Sequence, residues 1–406
     1  MDPNTAPRPL ILHLAIQNMT LASSLLALPS LKNGSIAWKA SLSQQAKSLR
    51  TRLSGIDDDA FKAAVTAEAA NRVAQFGAGV AQFRTAERSD AHPPLPTIWQ
   101  DGSTRVLHAA PKKTSSKSPP VILIPSLINR ASILDLSPNR SLTRHLQSQN
   151  IDTYLVDWDA PSEVEQSFSL DDYIARLAEI RDHVTEQAGA RPALIGYCMG
   201  GLLALACAIQ APEKVAAFAA LATPWDFDAV PEAPQRLLAA SMPALERVIE
   251  TTGELPVDVL QAMFAGLDPG ATVRKFREFA ELDPQSAKAR AFVALEDWLN
   301  DGVPLAGKVA RTCLRDWYID NTTAKGVWRI GKHLITPKAL NIPSLAVIPS
   351  GDVIVPPASA QALADALPNC KTIIAKAGHI GMVAGSGAKR ALYTPLTMWL
   401  SNGLCT

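Results

Sequence analysis

The chain has 406 residues, of which 47% are apolar and 19% charged, with 39 Lys plus Arg against 38 Asp plus Glu. This composition excludes a disordered or collagen-like chain. A net charge of +1 creates no field of the kind that binds nucleic acid. At roughly 150 residues per domain, we expect two or three compact units, a sizeable core and no nucleic-acid partner.

The first predicted element is an apolar helix near the N-terminus, over residues 9–31. His13, Gln17 and Asn18 interrupt its apolar run, so no stretch of 18 consecutive apolar residues exists. Only Arg8 precedes the run, which makes it a poor secretory signal. We therefore expect no transmembrane segment. The helix either packs on the protein body or lies on an apolar surface.

Helical patterning continues from residue 36 to residue 88, where few helix breakers occur and apolar residues recur at helical spacing. Linker-like stretches rich in Pro, Ser and Lys follow between residues 89 and 120. Between them, Asp101 and Gly102 separate two short strand patterns, which is a strong hairpin signal. The sequence thus predicts a helical N-terminal segment and then an antiparallel hairpin.

An alternation of short apolar strands with helices begins at residue 121, stops after residue 224 and resumes at residue 344. Such alternation indicates an α/β core with a mostly parallel sheet covered on both faces. The proline-rich helical stretch between the two parts is most simply a lid over the carboxyl ends of the strands. The predicted division is therefore a helical N-terminal segment over 1–90, a first core part over 91–227, a lid over 228–338 and a second core part over 339–406.

Five cysteines lie far apart along the chain, at Cys198, Cys207, Cys313, Cys370 and Cys405. The odd number and the lack of any CxxC pair argue against a disulfide framework and against a structural zinc site. We therefore expect no bound metal and a reducing compartment, with the cytoplasm as the default.

Cys198 lies in the one segment whose pattern indicates covalent chemistry. Residues 196–201 read Gly-Tyr-Cys-Met-Gly-Gly between an apolar strand and a helix of small residues. Glycines two residues before and after a nucleophile allow the strained turn that projects it from a helix N-terminus. There the helix dipole and a neighbouring base favour the thiolate. We predict that Cys198 is a nucleophile, and the alternative is a small buried residue at a tight turn.

A nucleophile in this setting predicts an acid and then a base on loops after later strands. Asp352 and His379 each follow such a strand. His379 would accept the proton of Cys198, and Asp352 would hold the imidazole and stabilise its cation. Because an acid can also follow an earlier strand, Asp226 remains the competitor of Asp352.

Acyl transfer also needs hydrogen-bond donors for the oxyanion. The backbone amide of Met199 is the first candidate, since it follows the nucleophile. The loop after the strand that ends at Ile124 should supply the second, from either Leu127 or Ile128. The sequence predicts no cofactor.

Over roughly residues 121–400 the chain resembles the polyhydroxyalkanoate synthases, α/β-hydrolase relatives that use cysteine where lipases use serine. The resemblance is carried by residues 127–130, 133–138, 141–142, 196–201, Trp298, Asp301, Gly302, Pro304, Trp317, Tyr318, Asn321, 352–356 and 378–381. It implies an α/β-hydrolase fold with a helical lid, and a Cys198-His379-Asp352 triad.

The resemblance also implies an activity and its surroundings. It implies a cytoplasmic acyltransferase that joins 3-hydroxyacyl units from coenzyme A thioesters into a polyester and stays on the granule surface. The short N-terminal region and the Ile-Gly-Met-Val-Ala-Gly run after His379 are similar to the short synthases, which need a second subunit. A homodimer, alone or with such a subunit, is expected.

Two other functions stay open at this stage. An acyl-CoA thioesterase or an intracellular polyester depolymerase could use the same scaffold and residues. A granule-binding protein without catalysis could keep the fold as well, although all three triad positions hold competent residues.

Overall fold

The structure is a computed structural model that describes residues 6–88, 93–113, 118–229 and 232–402. Contacts divide the chain into two compact units. A helical unit combines Met1–Arg88 with Gln261–Glu296, and a sheet unit combines Ser89–Leu260 with Asp297–Thr406.

The sheet unit is built on one eight-stranded sheet with the spatial order β1-β2-β4-β3-β5-β6-β7-β8. Its strands are β1 (Thr97–Asp101), β2 (Thr104–Ala109), β3 (Val121–Ile124), β4 (Thr153–Asp157), β5 (Ala193–Tyr197), β6 (Ala217–Leu221), β7 (Ser344–Pro349) and β8 (Cys370–Ala375). The β1–β2 and β2–β4 pairs are antiparallel, and all other pairs are parallel. The predicted α/β class with a mostly parallel sheet is confirmed.

The predicted hairpin and the buried strands follow from local chemistry. Gly102 has a φ of 54° at the turn between β1 and β2, a conformation that glycine adopts without strain. Every residue of β3, β5, β6 and β7 is buried, as expected for strands of a parallel sheet covered on both faces.

The α-helices of the described residues follow one another along the chain, and several begin at recognisable capping residues. In chain order they are α1 (Leu10–Asn33), α2 (Ser43–Leu53), α3 (Asp58–Thr85), α4 (Leu142–Ser148), α5 (Leu170–Ala188), α6 (Met199–Gln210), α7 (Glu232–Thr252), α8 (Val257–Ala265), α9 (Ala271–Ala280), α10 (Ala287–Asn300), α11 (Gly307–Arg311), α12 (Pro357–Ala366), α13 (His379–Ala384) and α14 (Thr394–Asn402). For example, Asp57 caps α3 by accepting from the amides of Asp59 and Ala60.

The helical unit has its own core, where α3 meets α9. Phe76 and Phe83 each pack edge-on against Phe276, with ring centroids 6.0 and 5.6 Å apart. Gly79 permits this close crossing, because a Cβ at that position would lie 2.0 Å from the backbone oxygen of Phe276. An apolar side of α3 is therefore covered by residues distant in sequence.

Residues Gln261–Glu296, which lie within the predicted lid over residues 228–338, pack with the N-terminal helices. The physical reason is that Phe276 and Phe279 belong to the aromatic core of the helical unit. The lid stretch also contains short antiparallel ladders that its sequence did not indicate: Glu254–Leu255 with Leu305–Ala306, and Arg329–Ile330 with His333–Leu334. The functional division into core and lid stays a prediction.

The predicted N-terminal helix is α1, and it is apolar around most of its circumference. His13, Gln17 and Leu28 are buried, whereas Ile11 and Leu26 are exposed. Averaged over its length, α1 is long and apolar enough to cross a membrane, and it is the one such helix among the described residues. His13, Gln17 and Asn18 argued against a membrane span in the sequence, but the mean hydropathy of α1 is high enough for a span despite them.

Candidate active site

Cys198 lies at the sharp turn between β5 and α6. Its φ of 56° and ψ of −127° are strained for a residue with a side chain. The amide of Cys198 donates to the oxygen of Leu221 at 2.9 Å, and its oxygen accepts from Gly201 at 3.0 Å. The turn is thereby anchored to the neighbouring strand and to the helix that it opens.

The glycines around Cys198 are required by close packing. A Cβ at Gly196 would lie 2.3 Å from the Cα of Gly201, and one at Gly200 would lie 2.2 Å from the oxygen of Ile124. A Cβ at Gly201 would lie 1.8 Å from Oγ1 of Thr223. The Gly-x-Cys-x-Gly-Gly pattern is thus the sequence that lets α6 start directly against β3 and β5.

Asp352 and His379 are brought together at the carboxyl ends of β7 and β8. His379 Nδ1 donates to Asp352 Oδ2 at 2.7 Å. Asp352 Oδ1 accepts from the amides of Ile354 and Val355 at 2.8 and 2.9 Å. Both side chains are buried, with 7% of His379 and 5% of Asp352 exposed. The carboxylate is therefore held rigidly against one nitrogen of the ring.

Cys198 lies close enough to His379 for its charge to act on the imidazole. Burial acts to lower the pKa of His379, but the negative charge of Cys198 and the hydrogen bond to Asp352 oppose it and raise this pKa to about 10. The predicted nucleophile, base and acid are thus adjacent in space.

The competing acid, Asp226, has other partners. Its Oδ1 accepts from Asn321 Nδ2 at 2.8 Å and from the amide of Asp228 at 3.0 Å. Asn321 also accepts from the amide of Phe227 through Oδ1, at 3.0 Å. Asp226 therefore fixes the loop after β6 to the insertion, while Asp352 is the acid bonded to His379.

The candidate oxyanion donors lie around the same turn. Met199 is the first residue of α6, and first-turn amides have no partner within their helix. In the loop after β3, Leu127 is buried, and the amide of Ile128 donates to Ser126 Oγ at 3.4 Å. The oxygen of Ile128 accepts from the amide of Val303 at 3.3 Å, which ties this loop to the end of the insertion.

Residues of the insertion also face Cys198, although only some of them stood out in the sequence. Burial raises the pKa of Tyr318, and the charges of Cys198, Cys313 and Asp352 add to that shift. Burial likewise raises the pKa of Cys313, with smaller contributions from Asp316 and Cys198. Phe227 packs edge-on against Tyr318, with centroids 4.8 Å apart. Tyr318 and Cys313 are therefore near enough to Cys198 for its charge to act on them.

Among the described residues, Cys207 and Cys370 do not lie on a comparable strained turn. Burial raises the pKa of the Cys207 and Cys370 thiols to about 11 each, so both stay protonated near neutrality. Cys405 lies outside the described residues. Within the described ranges, no group of three His, Cys, Asp or Glu side chains could hold a metal ion.

Comparison with known proteins agrees with the fold. Residues 119–385 match the alpha/beta hydrolase fold family, and the chain belongs to that class of proteins. A relative from Synechocystis sp., named poly(3-hydroxyalkanoate) polymerase subunit PhaC, is 30% identical over 322 residues, covering 76% of this chain and 84% of its own length. Within the class, the chain is therefore a member of the poly(3-hydroxyalkanoate) polymerase family.

Two further relatives carry the same name. The protein from Haloferax mediterranei is 29% identical over 313 residues, which cover 76% of this chain and 64% of the relative. The protein from Allochromatium vinosum is 26% identical over 337 residues, which cover 80% and 94%. The matched region thus spans somewhat less than two thirds of the Haloferax protein and almost all of the Allochromatium protein.

Proposed function

We propose that this protein is a polyhydroxyalkanoate synthase that transfers 3-hydroxyacyl units from coenzyme A thioesters to a growing polyester through Cys198. The observation that carries the proposal is the placement of Cys198 on a strained turn, beside an imidazole that Asp352 holds from the other side. Family membership supports the substrate class.

In the first step, the Cys198 thiolate attacks the thioester carbonyl. The carbon–sulfur bond to coenzyme A breaks, the leaving thiolate takes a proton from His379, and the acyl group stays on Cys198. The charge on the carbonyl oxygen is accepted by the Met199 amide and by an amide of Leu127 or Ile128. Because one thioester replaces another, the exchange is close to thermoneutral.

In the second step, the 3-hydroxyl group of another acyl unit or chain end attacks the acyl-Cys198 thioester. His379 takes the hydroxyl proton, an ester bond forms, and Cys198 leaves as the thiolate. Asp352 holds the ring orientation and stabilises the imidazolium. No cofactor beyond the coenzyme A ester is needed to balance either step.

Transfer to an alcohol requires that water stay away from the acyl-enzyme. The burial of His379 and Asp352, and the aromatic residues of the insertion, support transfer over hydrolysis. An acyl-CoA thioesterase or polyester depolymerase is the second candidate, because the same residues would hydrolyse the acyl-enzyme if water entered. A non-catalytic granule protein would not need a strained cysteine.

Cellular context and assembly form part of the same proposal. We place the enzyme in the cytoplasm, at the surface of its polyester granule, as a homodimer that also takes a second synthase subunit. The word "subunit" in the names of the relatives supports the last point. Light scattering of the purified chain, alone and with a candidate partner, measures the assembly.

The deciding experiment incubates the purified chain with 3-hydroxybutyryl-CoA and quantifies both free coenzyme A and insoluble polymer. A synthase releases coenzyme A together with polymer. Coenzyme A release with only monomeric acid would assign the protein to the thioesterases. Repeating the assay with a panel of longer hydroxyacyl esters gives the acyl preference.

A further inference from the structure

The segment from Arg8 to Ile56, here called the N-terminal basic segment, has a one-sided charge. It carries six Lys or Arg residues, at positions 8, 32, 39, 47, 50 and 52, and residues 3–56 contain no Asp or Glu. The whole chain, in contrast, has a net charge of only +1. Positive charge is therefore concentrated in the part of the helical unit that contains α1 and α2.

In α1, apolar side chains face solvent. Ile11 is 82% exposed, Met19 71% and Leu26 81%. Residues 9–31 contain no charged side chain at all. A helix on the surface of a protein in water normally has the opposite distribution, with its apolar stripe turned to the core.

Two polar side chains of α1, His13 and Gln17, are buried, whereas Asn18, Thr20 and Ser23 are exposed. Gln17 is 7% exposed, and neither its Oε1 nor its Nε2 has a hydrogen-bond partner. His13 Nε2 contacts the oxygen of Arg8 at 3.4 Å, whereas its Nδ1 is also without a partner. Two unsatisfied polar side chains thus point inward while Ile11, Met19 and Leu26 of the same helix face outward. This arrangement is unfavourable in water and suited to an apolar neighbour.

The connection to α2, and α2 itself, add the cations. Trp38, Leu42, Leu49 and Ile56 are exposed large apolar residues, and Lys47, Arg50 and Arg52 lie on α2. Exposed Trp and Leu beside Lys and Arg are typical of helices that bind at the lipid–water interface. Each such cation near an anionic lipid surface contributes to binding.

We propose that the N-terminal basic segment binds an anionic phospholipid surface. In this arrangement α1 lies in the plane of the interface, with Ile11, Met19 and Leu26 among the acyl chains, and the cations of α2 face the phosphates. The inference is independent of the catalytic proposal.

An in-plane helix fits the structure better than a spanning one. Within the helical unit, α1 packs against α3 and α9, and its buried residues include His13, Gln17 and Leu28. A span across the bilayer would remove these contacts and place the two polar side chains in hydrocarbon, which is costly.

The test uses the full chain and sedimentation with two kinds of vesicle, phosphatidylcholine alone and phosphatidylcholine with 30% phosphatidylglycerol. We expect binding to the anionic vesicles at least ten-fold tighter than to the neutral ones, and weaker binding at higher salt. Equal partition into both vesicles, or none into either, overturns the proposal.

Two variants separate the apolar and electrostatic parts. Ile11→Glu with Leu26→Glu should reduce vesicle binding at least ten-fold. Lys47→Glu with Arg52→Glu should remove the preference for anionic vesicles. The matched controls are Leu237→Glu, at a leucine of α7 that is 70% exposed, and Lys371→Glu, at an exposed lysine of β8. Both controls should bind like the unmodified chain.

Circular dichroism and thermal unfolding check that every variant is folded. If the folded Ile11/Leu26 variant binds as well as its control, the proposal is overturned. Another outcome would be that the unmodified chain does not bind vesicles and forms a dimer that the Ile11/Leu26 variant does not form. This would overturn the proposal and assign the apolar face to contact with a second copy. If the bound protein resists extraction from the vesicles at pH 11, α1 spans the bilayer and does not lie in its plane.

Discussion

The carboxylate of Asp352 bridges the imidazole of His379 and the backbone of its own loop. One oxygen accepts from His379 Nδ1 at 2.7 Å, and the other accepts from the amides of Ile354 and Val355. Because the loop fixes the carboxylate, the carboxylate fixes the ring, and the second ring nitrogen is left for Cys198. In the proposed mechanism, the reactivity of Cys198 therefore depends on how rigidly the loop after β7 holds Asp352.

Replacing the sulfur should abolish turnover. In Cys198→Ala no acyl-enzyme can form, so coenzyme A release from 3-hydroxybutyryl-CoA should fall by about 10³-fold or more, as for other covalent nucleophiles. The control is Cys370→Ala, at a half-buried cysteine whose thiol stays protonated near neutrality. Unchanged release by Cys198→Ala would remove the proposed triad altogether.

The two candidate acids can be separated by isosteric substitutions. Asp352→Asn should lower the rate of coenzyme A release by about 10²-fold or more, because the amide no longer stabilises the imidazolium. Asp226→Asn should cost far less, since Asp226 bonds to Asn321 and to a backbone amide. The comparison uses rates of coenzyme A release measured at saturating substrate, and thermal unfolding checks that the two variants are equally stable. Equal losses would leave the acid unassigned.

Stability should depend on pH through His379. The pKa of this imidazole is about 10 in the folded chain and about 6.5 when unfolded. Because the folded value is higher, the stabilisation is fully present below pH 6.5, declines between pH 6.5 and 10, and is absent above. Denaturant unfolding at pH 6, 8 and 10 measures it. The free-energy difference between the unmodified chain and His379→Gln should shrink as the pH rises, and a constant or growing difference would contradict the raised pKa.

Much of the sheet unit is predictable because its signals are local. Near-continuous apolar runs identify the parallel strands, Asp101-Gly102 identifies the hairpin turn, and the glycines around Cys198 identify the turn before α6. Chain order then places an acid and a histidine after later strands. The sequence favoured Asp352 as the acid but left Asp226 as a competitor, because the decision rests on the partner that each carboxylate finds in the folded chain.

Other features depend on contacts between distant parts of the chain. In the sequence, Phe276 and Phe279 could only be assigned to the lid. In the structure they pack with Phe76 and Phe83 of α3. The sequence likewise could not predict that Cys313 and Tyr318 lie near Cys198. Their position depends on how the insertion packs, and no spacing along the chain indicates it. For α1 the sequence left two alternatives, packing on the body or lying on an apolar surface, because a helix that is apolar on most sides does not show which face is buried.

The turn itself can be tested without touching any reacting group. In Gly200→Ala, the added Cβ would lie 2.2 Å from the backbone oxygen of Ile124, and a strand carbonyl in the sheet cannot move aside. We expect a loss of about 1–3 kcal/mol in the free energy of unfolding and a larger fall in activity than this loss explains, because Cys198 shifts relative to His379.

The control is Gly77→Ala in α3, where no atom lies within 4 Å of the added Cβ, and where the better helix propensity of alanine should stabilise the chain by up to about 1 kcal/mol. Urea unfolding and coenzyme A release on the same preparations give both quantities. An active, fully stable Gly200→Ala variant would mean that the turn relaxes freely and that its strain does not position the sulfur.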